Sequence, residues 1–420
     1  MNQTLSFLHV TTFYPPYSFG GDAAYVYRLA GALADAGHHV DVLHSIDAYR
    51  LAHPGDPEVS WQGHRGVTVH GLQSRAKWLT TLTAHQTGRP IFQTKEILRI
   101  LNHRPYDVIH FHNISLFGPG ILSLAPDGPP PLKVYTTHEH WLVCPMHVLW
   151  KFNKRACEAP DCLACTLQAG RPPQLWRFTD YLRHATAYVD LFLAPSRFVA
   201  AKHAERGFDR SFSVLPLFVE QDQPDWRSAP VPHPRPYVLY VGRLERLKGV
   251  DTLIDALREC EDVDLLIAGA GAEEDRLKAA AQPNPRIHFL GAVAPDCLGP
   301  LYAHAVASCV PSLTYEVFPT VAIESLAQRT PVIARDLGGL TEIVRDSGGG
   351  ILFNNRDQLV AALQALSRNP SLRREMGERG YCMVNERWSK SAHLQAYLAL
   401  LEAARRNRET GGTGPASRPA

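Results

Sequence analysis

Among the residues of this chain equipped for chemistry, Arg243 and Lys248 stand on one short loop, in "GRLERLKGVDTLIDAL". Gly242 permits a tight exit from the apolar run Tyr237 to Val241, and Gly249 opens the next helical segment. A forked guanidinium and a point-charge ammonium leaving a strand together can clamp a diphosphate. Taken alone, the same loop is equally an exposed turn in which Arg246 pairs with Glu245. Further on, "YEVFPTVAIESLA" sets Glu316 and Glu324 on either side of an almost apolar run. Pro319 suits the first position of a helix over Thr320 to Gln328, where its missing N–H is not needed and its φ is already set. The free N–H groups and positive dipole end of that helix favour an anion. Two carboxylates do not bind phosphate, but they accept hydrogen bonds from hydroxyls, which a nucleotide sugar carries on both sides of its diphosphate. The plainer alternative is that each glutamate marks the wet end of a buried helix.

These side chains need a scaffold, and the chain alternates short β-branched runs with amphipathic segments, the pattern of parallel sheets covered by crossover helices. The predicted fold class is α/β, with two doubly wound, Rossmann-like domains in tandem. The first spans 1–219, the second 237–388, and "EQDQPDWRSAPVPHPRP" at 220–236 links them. A last helix at 389–408 precedes a small, polar tail, 409–420, predicted to be disordered. Helices are expected over Ala23 to Ala36, Gln174 to Val189 and Arg197 to Arg206, among others. Open parallel sheets bind ligands beyond the carboxyl ends of their strands, so two facing sheets imply a cleft. Three loops would border it: the cationic loop, the "GGL" run at Gly338 to Leu340, and Gly20–Gly21, with Asp22 as N-cap of the first helix.

Length and charge bound the possibilities. The 420 residues suit two domains, and 43 basic against 41 acidic side chains give no global attraction to nucleic acid. The amino terminus lacks the features of a signal peptide, and no apolar run reaches the roughly 18 residues of a membrane span. A cytoplasmic protein with its eight cysteines mostly reduced is expected.

Taken together, "FGGDAAYVYRLAGALADAGHHVDVL", "VYTTHEH", "YVGRLERLKGVDTLIDAL" and "YEVFPTVAIESLAQRTPVIARDLGGLTEIV" resemble glycosyltransferase family 4, retaining enzymes of the GT-B fold (glycosyl transferases group 1). The likeness runs from about Phe7 to Glu402 and is most specific in the second domain. It implies transfer of a sugar from a UDP- or GDP-linked donor to an acceptor hydroxyl of a glycan, a lipid-linked sugar or a small molecule. It also implies that Arg243 and Lys248 hold the donor diphosphate, that Glu324 binds ribose hydroxyls, and that Glu316 contacts the donor sugar beside Phe318 and Thr320. His138 would lie near the anomeric centre, and Gly20 and Gly21 would meet the donor from the opposite domain. No catalytic metal is implied. Two positions depart from the family pattern: Pro319 stands where glycine is common, so Thr320 must supply the N–H, and Glu139 replaces a usual aspartate. The competing readings are a nucleotide-sugar epimerase of the same fold and a non-catalytic nucleotide-sugar-binding protein. A nicotinamide dehydrogenase is disfavoured, since only "GAGA" at Gly269 to Ala272 faintly resembles a dinucleotide fingerprint.

Two features lie outside this pattern. Within an insert at about 139–170, Cys144, Cys157, Cys162 and Cys165 supply enough thiolates for a tetrahedral structural zinc, with His140 and His147 as substitutes; idle thiols or a partial disulfide are the alternative. From Arg75 to Arg104, six cations alternate with Trp78, Leu79, Leu82, Ile91 and Phe92. That stretch reads either as an ordinary helix pair with a solvated face or as a peripheral contact at the inner face of a membrane.

Overall fold

The computed structural model describes residues 4–53, 55–57, 62–220 and 226–410. Most of the expected disordered tail (411–420) and the centre of the linker (221–225) lie outside the described residues. Seven parallel strands form the first sheet: β1 (Ser6–Val10), β2 (His39–Ser45), β3 (Val67–Leu72), β4 (Val108–Phe111), β5 (Leu132–Thr136), β8 (Leu191–Ala194) and β9 (Phe212–Val214), in the spatial order 3-2-1-4-5-8-9. Between β5 and β8 the insert carries a small antiparallel hairpin, β6 (Trp150–Lys151) with β7 (Arg155–Ala156). The second sheet is also parallel: β10 (Tyr237–Val241), β11 (Asp264–Ala268), β12 (Ile287–Gly291), β13 (Ala307–Val310), β14 (Val332–Arg335) and β15 (Gly350–Phe353), in the order 12-11-10-13-14-15. Helices cover both faces of each central strand, which is why runs such as "VIHF" and "DLLIA" are buried throughout. In each sheet the order reverses once, between β1 and β4 and between β10 and β13. At these points adjacent connections diverge and leave a crevice beyond the strand ends.

The last helix, Lys390–Glu409, lies on the first sheet: Tyr397 reaches His110 Nδ1 at 2.8 Å, and Arg408 donates to the Pro131 carbonyl at 2.9 Å. Through Val384, Trp388, Tyr397 and Leu401 one continuous apolar core joins Phe7, Tyr25 and Leu29 of the first domain to Phe318, Ile323 and Leu326 of the second. Polar contacts add to it. Ser196 Oγ donates to the Val317 carbonyl at 2.9 Å, Arg197 pairs with Asp346 at 2.9 Å, and Glu342 accepts the backbone N–H groups of Arg197 and Phe198 at the start of helix Arg197–Glu205.

Three local expectations are corrected. The stretch from Gln174 to Val189 is not one helix but a tight turn, Leu175–Phe178, and a short helix, Tyr181–Thr186. Thr179 divides them by bonding the Trp176 carbonyl through its hydroxyl at 2.7 Å and receiving the Tyr181 N–H at 3.2 Å, a side-chain alternative to the helical ladder. Pro319 is not the first helical residue: the helix is Thr320–Ala327, and Pro319 precedes it with extended ψ of 113°. Asp22 is not the N-cap. Gly20, at φ 99°, takes that position, and Asp22 lies inside the first turn of helix Gly21–Asp35.

Candidate active site

The exit of β10 is shaped by close backbone packing. A Cβ on Gly269 would fall 1.9 Å from the Gly242 carbonyl oxygen and one on Gly271 2.4 Å from that of Leu244, so the "GAGA" segment braces the cationic loop rather than a dinucleotide. Gly249, in the left-handed region at φ 67°, sits where a Cβ would meet the Pro311 carbonyl oxygen at 2.4 Å. This close approach draws the loop after β10 onto the loop after β13. The "GGL" run behaves alike: Gly339 N–H donates to the Glu316 carbonyl at 2.7 Å, and a Cβ at Gly339 would lie 2.1 Å from the Val317 carbonyl oxygen. Its glycines therefore serve to seat the Glu316 loop.

As a result Lys248 Nζ donates to Glu316 Oε1 at 2.7 Å, and Ser312 Oγ donates to the same oxygen at 2.6 Å. Burial alone would raise the Glu316 carboxyl, but Lys248, the Ser312 hydroxyl and Arg243 together hold it below its ordinary value. Arg243 itself is mostly exposed and bonded to Glu245 at 2.5 Å. Glu324 faces Arg28 of the first helix at 3.7 Å and accepts from the Tyr302 hydroxyl at 3.2 Å. Phe318 is buried edge-on against Trp388, so its side chain belongs to the core. Thr320 begins its helix with no side-chain cap before it, leaving the first N–H groups free for an anion.

On the other domain Gly21 is exposed, with open space where a Cβ would stand. Close by, Asn113 donates to Asp22 at 3.1 Å; burial and then the neighbouring Glu139 raise the Asp22 carboxyl. Glu139 is bonded in turn to His147 Nδ1 at 2.8 Å. His138 ends a chain of imidazoles. His9 Nδ1 lies 3.0 Å from His112 Nε2, and His112 Nδ1 lies 2.9 Å from His138 Nε2. Each contact needs one N–H and one lone pair, and each neutral ring has one proton, so both contacts must run in the same direction. Either His138 keeps its proton on Nδ1, or His9 keeps one on Nε2; both are buried atoms with no hydrogen-bond partner in the protein. Burial lowers the pKa of His138 to about 3, so the ring is neutral.

Arg28, His9 and His112 were not singled out from the sequence, and Asp22 was read only as a helix cap. Arg28 has a visible signal, a lone cation in "AAYVYRLAGALA"; the histidines share one because His9 and His110 are register partners on adjacent strands. Among the described residues, two sets of three metal-ligand atoms lie within 4.8 Å of one another: His9, His110 and His112, and His233, Asp264 and His288. The first set is committed to internal bonds, including His110 Nε2 to Thr136 Oγ1 at 2.7 Å. In the second, Arg235 occupies the Asp264 carboxylate at 2.8 Å, where an ion would have to compete with its charge. Cys144, Cys157, Cys162 and Cys165 are all free and line one small cavity. A larger cavity of about 530 Å³, lined in part by Leu142, Cys162, Arg177 and Phe178, lies beside the insert and away from Glu316. The two helices of the Arg75 to Arg104 stretch, Trp78–Thr87 and Thr94–Leu101, leave Trp78, Leu79, Leu82, Ile91 and Phe92 exposed. No helix among the described residues is long and apolar enough to cross a membrane.

The family described as "Glycosyl transferases group 1" matches residues 221–383, and "Glycosyltransferase Family 4" matches residues 19–223. The lipopolysaccharide core biosynthesis glycosyltransferase LpsE of Rhizobium meliloti is 30% identical over 235 residues, covering 54% of this chain and 68% of that protein. In structure the chain is similar to the sucrose-phosphate synthase of Thermosynechococcus elongatus, with a TM-score of 0.71 at 22% identity over 95% of this chain and 100% of that one. It is also similar to Anabaena HepE in complex with UDP, with a TM-score of 0.65 at 17% identity and the same coverage of both chains.

Proposed function

Because the chain belongs to the glycosyltransferases of group 1 and family 4 and has their GT-B fold, we propose that it moves a sugar from a UDP- or GDP-linked donor to an acceptor hydroxyl with retention at the anomeric carbon. The observation that carries this reading is the meeting of Lys248 with Glu316, 68 residues apart, at the switch point between β10 and β13. A cation and a hydroxyl acceptor side by side suit the junction of diphosphate and sugar. The bond from the anomeric carbon to the diphosphate oxygen breaks, its electron pair leaves with the diphosphate, and an acceptor oxygen bonds to the same face of the sugar. Attack on that face puts the acceptor's proton within reach of the departing oxygen. Negative charge growing on the diphosphate is stabilised by Lys248, Arg243 and the free N–H groups at Thr320. Glu324 takes the ribose hydroxyls, displacing its present partners, and Gly20–Gly21 admit the donor from the opposite domain.

The UDP held by HepE supports a uridine donor, and the printed role of LpsE supports a glycan or glycolipid acceptor. The exposed residues around Trp78 and Phe92 would then rest peripherally on a membrane bearing such an acceptor. A panel of UDP- and GDP-sugars, with the product's anomeric configuration read by NMR, tests the reading. Consumption of one donor with retained configuration is expected. Inversion, or conversion of the donor to its epimer without acceptor, would refute it.

With its proton on Nδ1, an atom that has no partner in the protein, His138 would donate to a sugar hydroxyl near the reacting carbon, with His112 as a positioning residue. Replacing His112 by alanine should lower kcat about tenfold, the worth of one well-placed hydrogen bond, roughly 1.4 kcal/mol. The loss should fall on kcat with KM nearly unchanged, because the diphosphate contacts of Lys248 and Arg243 remain. A merely structural role for His112 predicts less folded enzyme with kcat per folded molecule unchanged.

A further inference from the structure

Beyond Trp141 and Leu142, which pack into the first domain's core, the insert between β5 and β8 has little core of its own. Its hairpin has two residues per strand, and a lone two-stranded hairpin is marginal in water. Its apolar centre consists of Cys144, Leu149 and Cys157, with Met146 and Tyr315 packed against them. Yet His147, Leu149, Phe152 and Asn153 all hold positive φ, a region that Leu149 and Phe152 occupy only where their surroundings enforce it. All four cysteines line one cavity of about 20 Å³, near the space of a single ion or water. Cys162 and Cys165, on helix Cys162–Gln168, line the same cavity as Cys144 and Cys157. The Phe152 N–H reaches Cys165 Sγ at 3.4 Å.

We propose that Cys144, Cys157, Cys162 and Cys165 bind one structural zinc ion that holds this insert against the loop carrying Glu316. The coupling is direct: Thr314 Oγ1 donates to the Val148 carbonyl at 2.7 Å, and His140 Nε2 lies 3.4 Å from the Tyr315 carbonyl. Zn–S bonds of about 2.3 Å place tetrahedral sulfurs about 3.8 Å apart. None of the closely spaced ligand sets among the described residues includes these cysteines, so the ion would draw hairpin and helix toward each other. Four thiolates close the coordination sphere and leave no position for substrate, which assigns the ion a structural role.

Elemental analysis of the full chain, purified under reducing conditions and dialysed, is expected to find about one zinc per chain. Cys162→Ser and Cys165→Ser should each lose most of it, whereas Cys297→Ser and Cys382→Ser, at exposed positions, should keep it. Cobalt chloride added to chelator-stripped protein should give a thiolate-to-cobalt charge-transfer band. Wild-type protein with no zinc above blank and no cobalt band overturns the proposal, as does a disulfide among these cysteines in the reduced preparation. Metal content is read without any transferase assay, so its failure leaves the proposed reaction standing, and the reverse holds too.

Discussion

Replacing Lys248 by alanine is expected to lower turnover by about 10²–10³-fold, or roughly 2.7–4 kcal/mol, the usual cost of removing one preorganised group that stabilises charge developing in the transition state. The same change should destabilise the protein. Lys248 and Glu316 are mostly buried, with side chains 22% and 14% exposed, and removing one partner strands the other. At full burial that costs about 3–5 kcal/mol; some remaining solvent contact places this pair nearer the lower end. At about 2–4 °C per kcal/mol for a domain of this size, Tm should fall by roughly 6–12 °C. Without Lys248, burial also dominates at Glu316 and its carboxyl rises. The sign follows from the depressed folded value: the pair's contribution is complete above the ordinary glutamate range and fades as pH falls through the lower folded pKa. Replacing both residues, Lys248→Met with Glu316→Gln, should recover much of the stability and none of the activity. Arg243→Ala makes a useful contrast. Its guanidinium is 58% exposed, so turnover should drop steeply while the fold stays intact. A Lys248→Ala enzyme with a near-wild-type rate in a donor-consumption assay would remove the charge-stabilising role assigned to this side chain.

Mild acid should unfold the protein well before its carboxylates protonate. Burial lowers His9, His138 and His140 to about 3, and His44, His203 and His393 to about 4; for His140, His203 and His393, backbone carbonyl partners offset part of the effect. Unfolded, each returns to about 6.5. Below that pH the unfolded chain takes up protons that the folded one refuses, so stability falls with decreasing pH until the folded pKa is reached. Each such histidine costs up to about 1.4 kcal/mol per pH unit, and six together about 8. Against a typical stability of about 5–15 kcal/mol, unfolding is expected between about pH 5 and 6. Circular dichroism and tryptophan fluorescence across this range measure it. Retention of native signal at about pH 4 would mean that these rings accept protons in the folded state.

How much of this was legible without coordinates depends on the distance over which each feature is decided. The alternation of strands and helices, the cationic loop after β10 and the glutamates after β13 follow from local periodicity and from the punctuation of glycine and proline. Those signals act within a dozen residues and survive into the fold. Errors were local too: Thr179 split a helix through its own hydroxyl, and Gly20 displaced Asp22 as a cap because it alone adopts φ of 99° without strain. Which side chains share an environment was a separate matter. The sequence assigned Lys248 to a phosphate and Glu316 to a sugar; the tertiary structure pairs them, because Gly249 and Gly339 let distant backbones close on each other. The Phe318 side chain packs into the core because Trp388, just before the last helix, covers it. The His9–His112–His138 chain exists only once β1 and β4 stand in register and β5 lies beside them. By itself the sequence determined the fold class, the family and the chemical types available at each strand end. The tertiary structure decided their partners, protonation and burial, since these depend on through-space distances between segments the chain brings together only on folding.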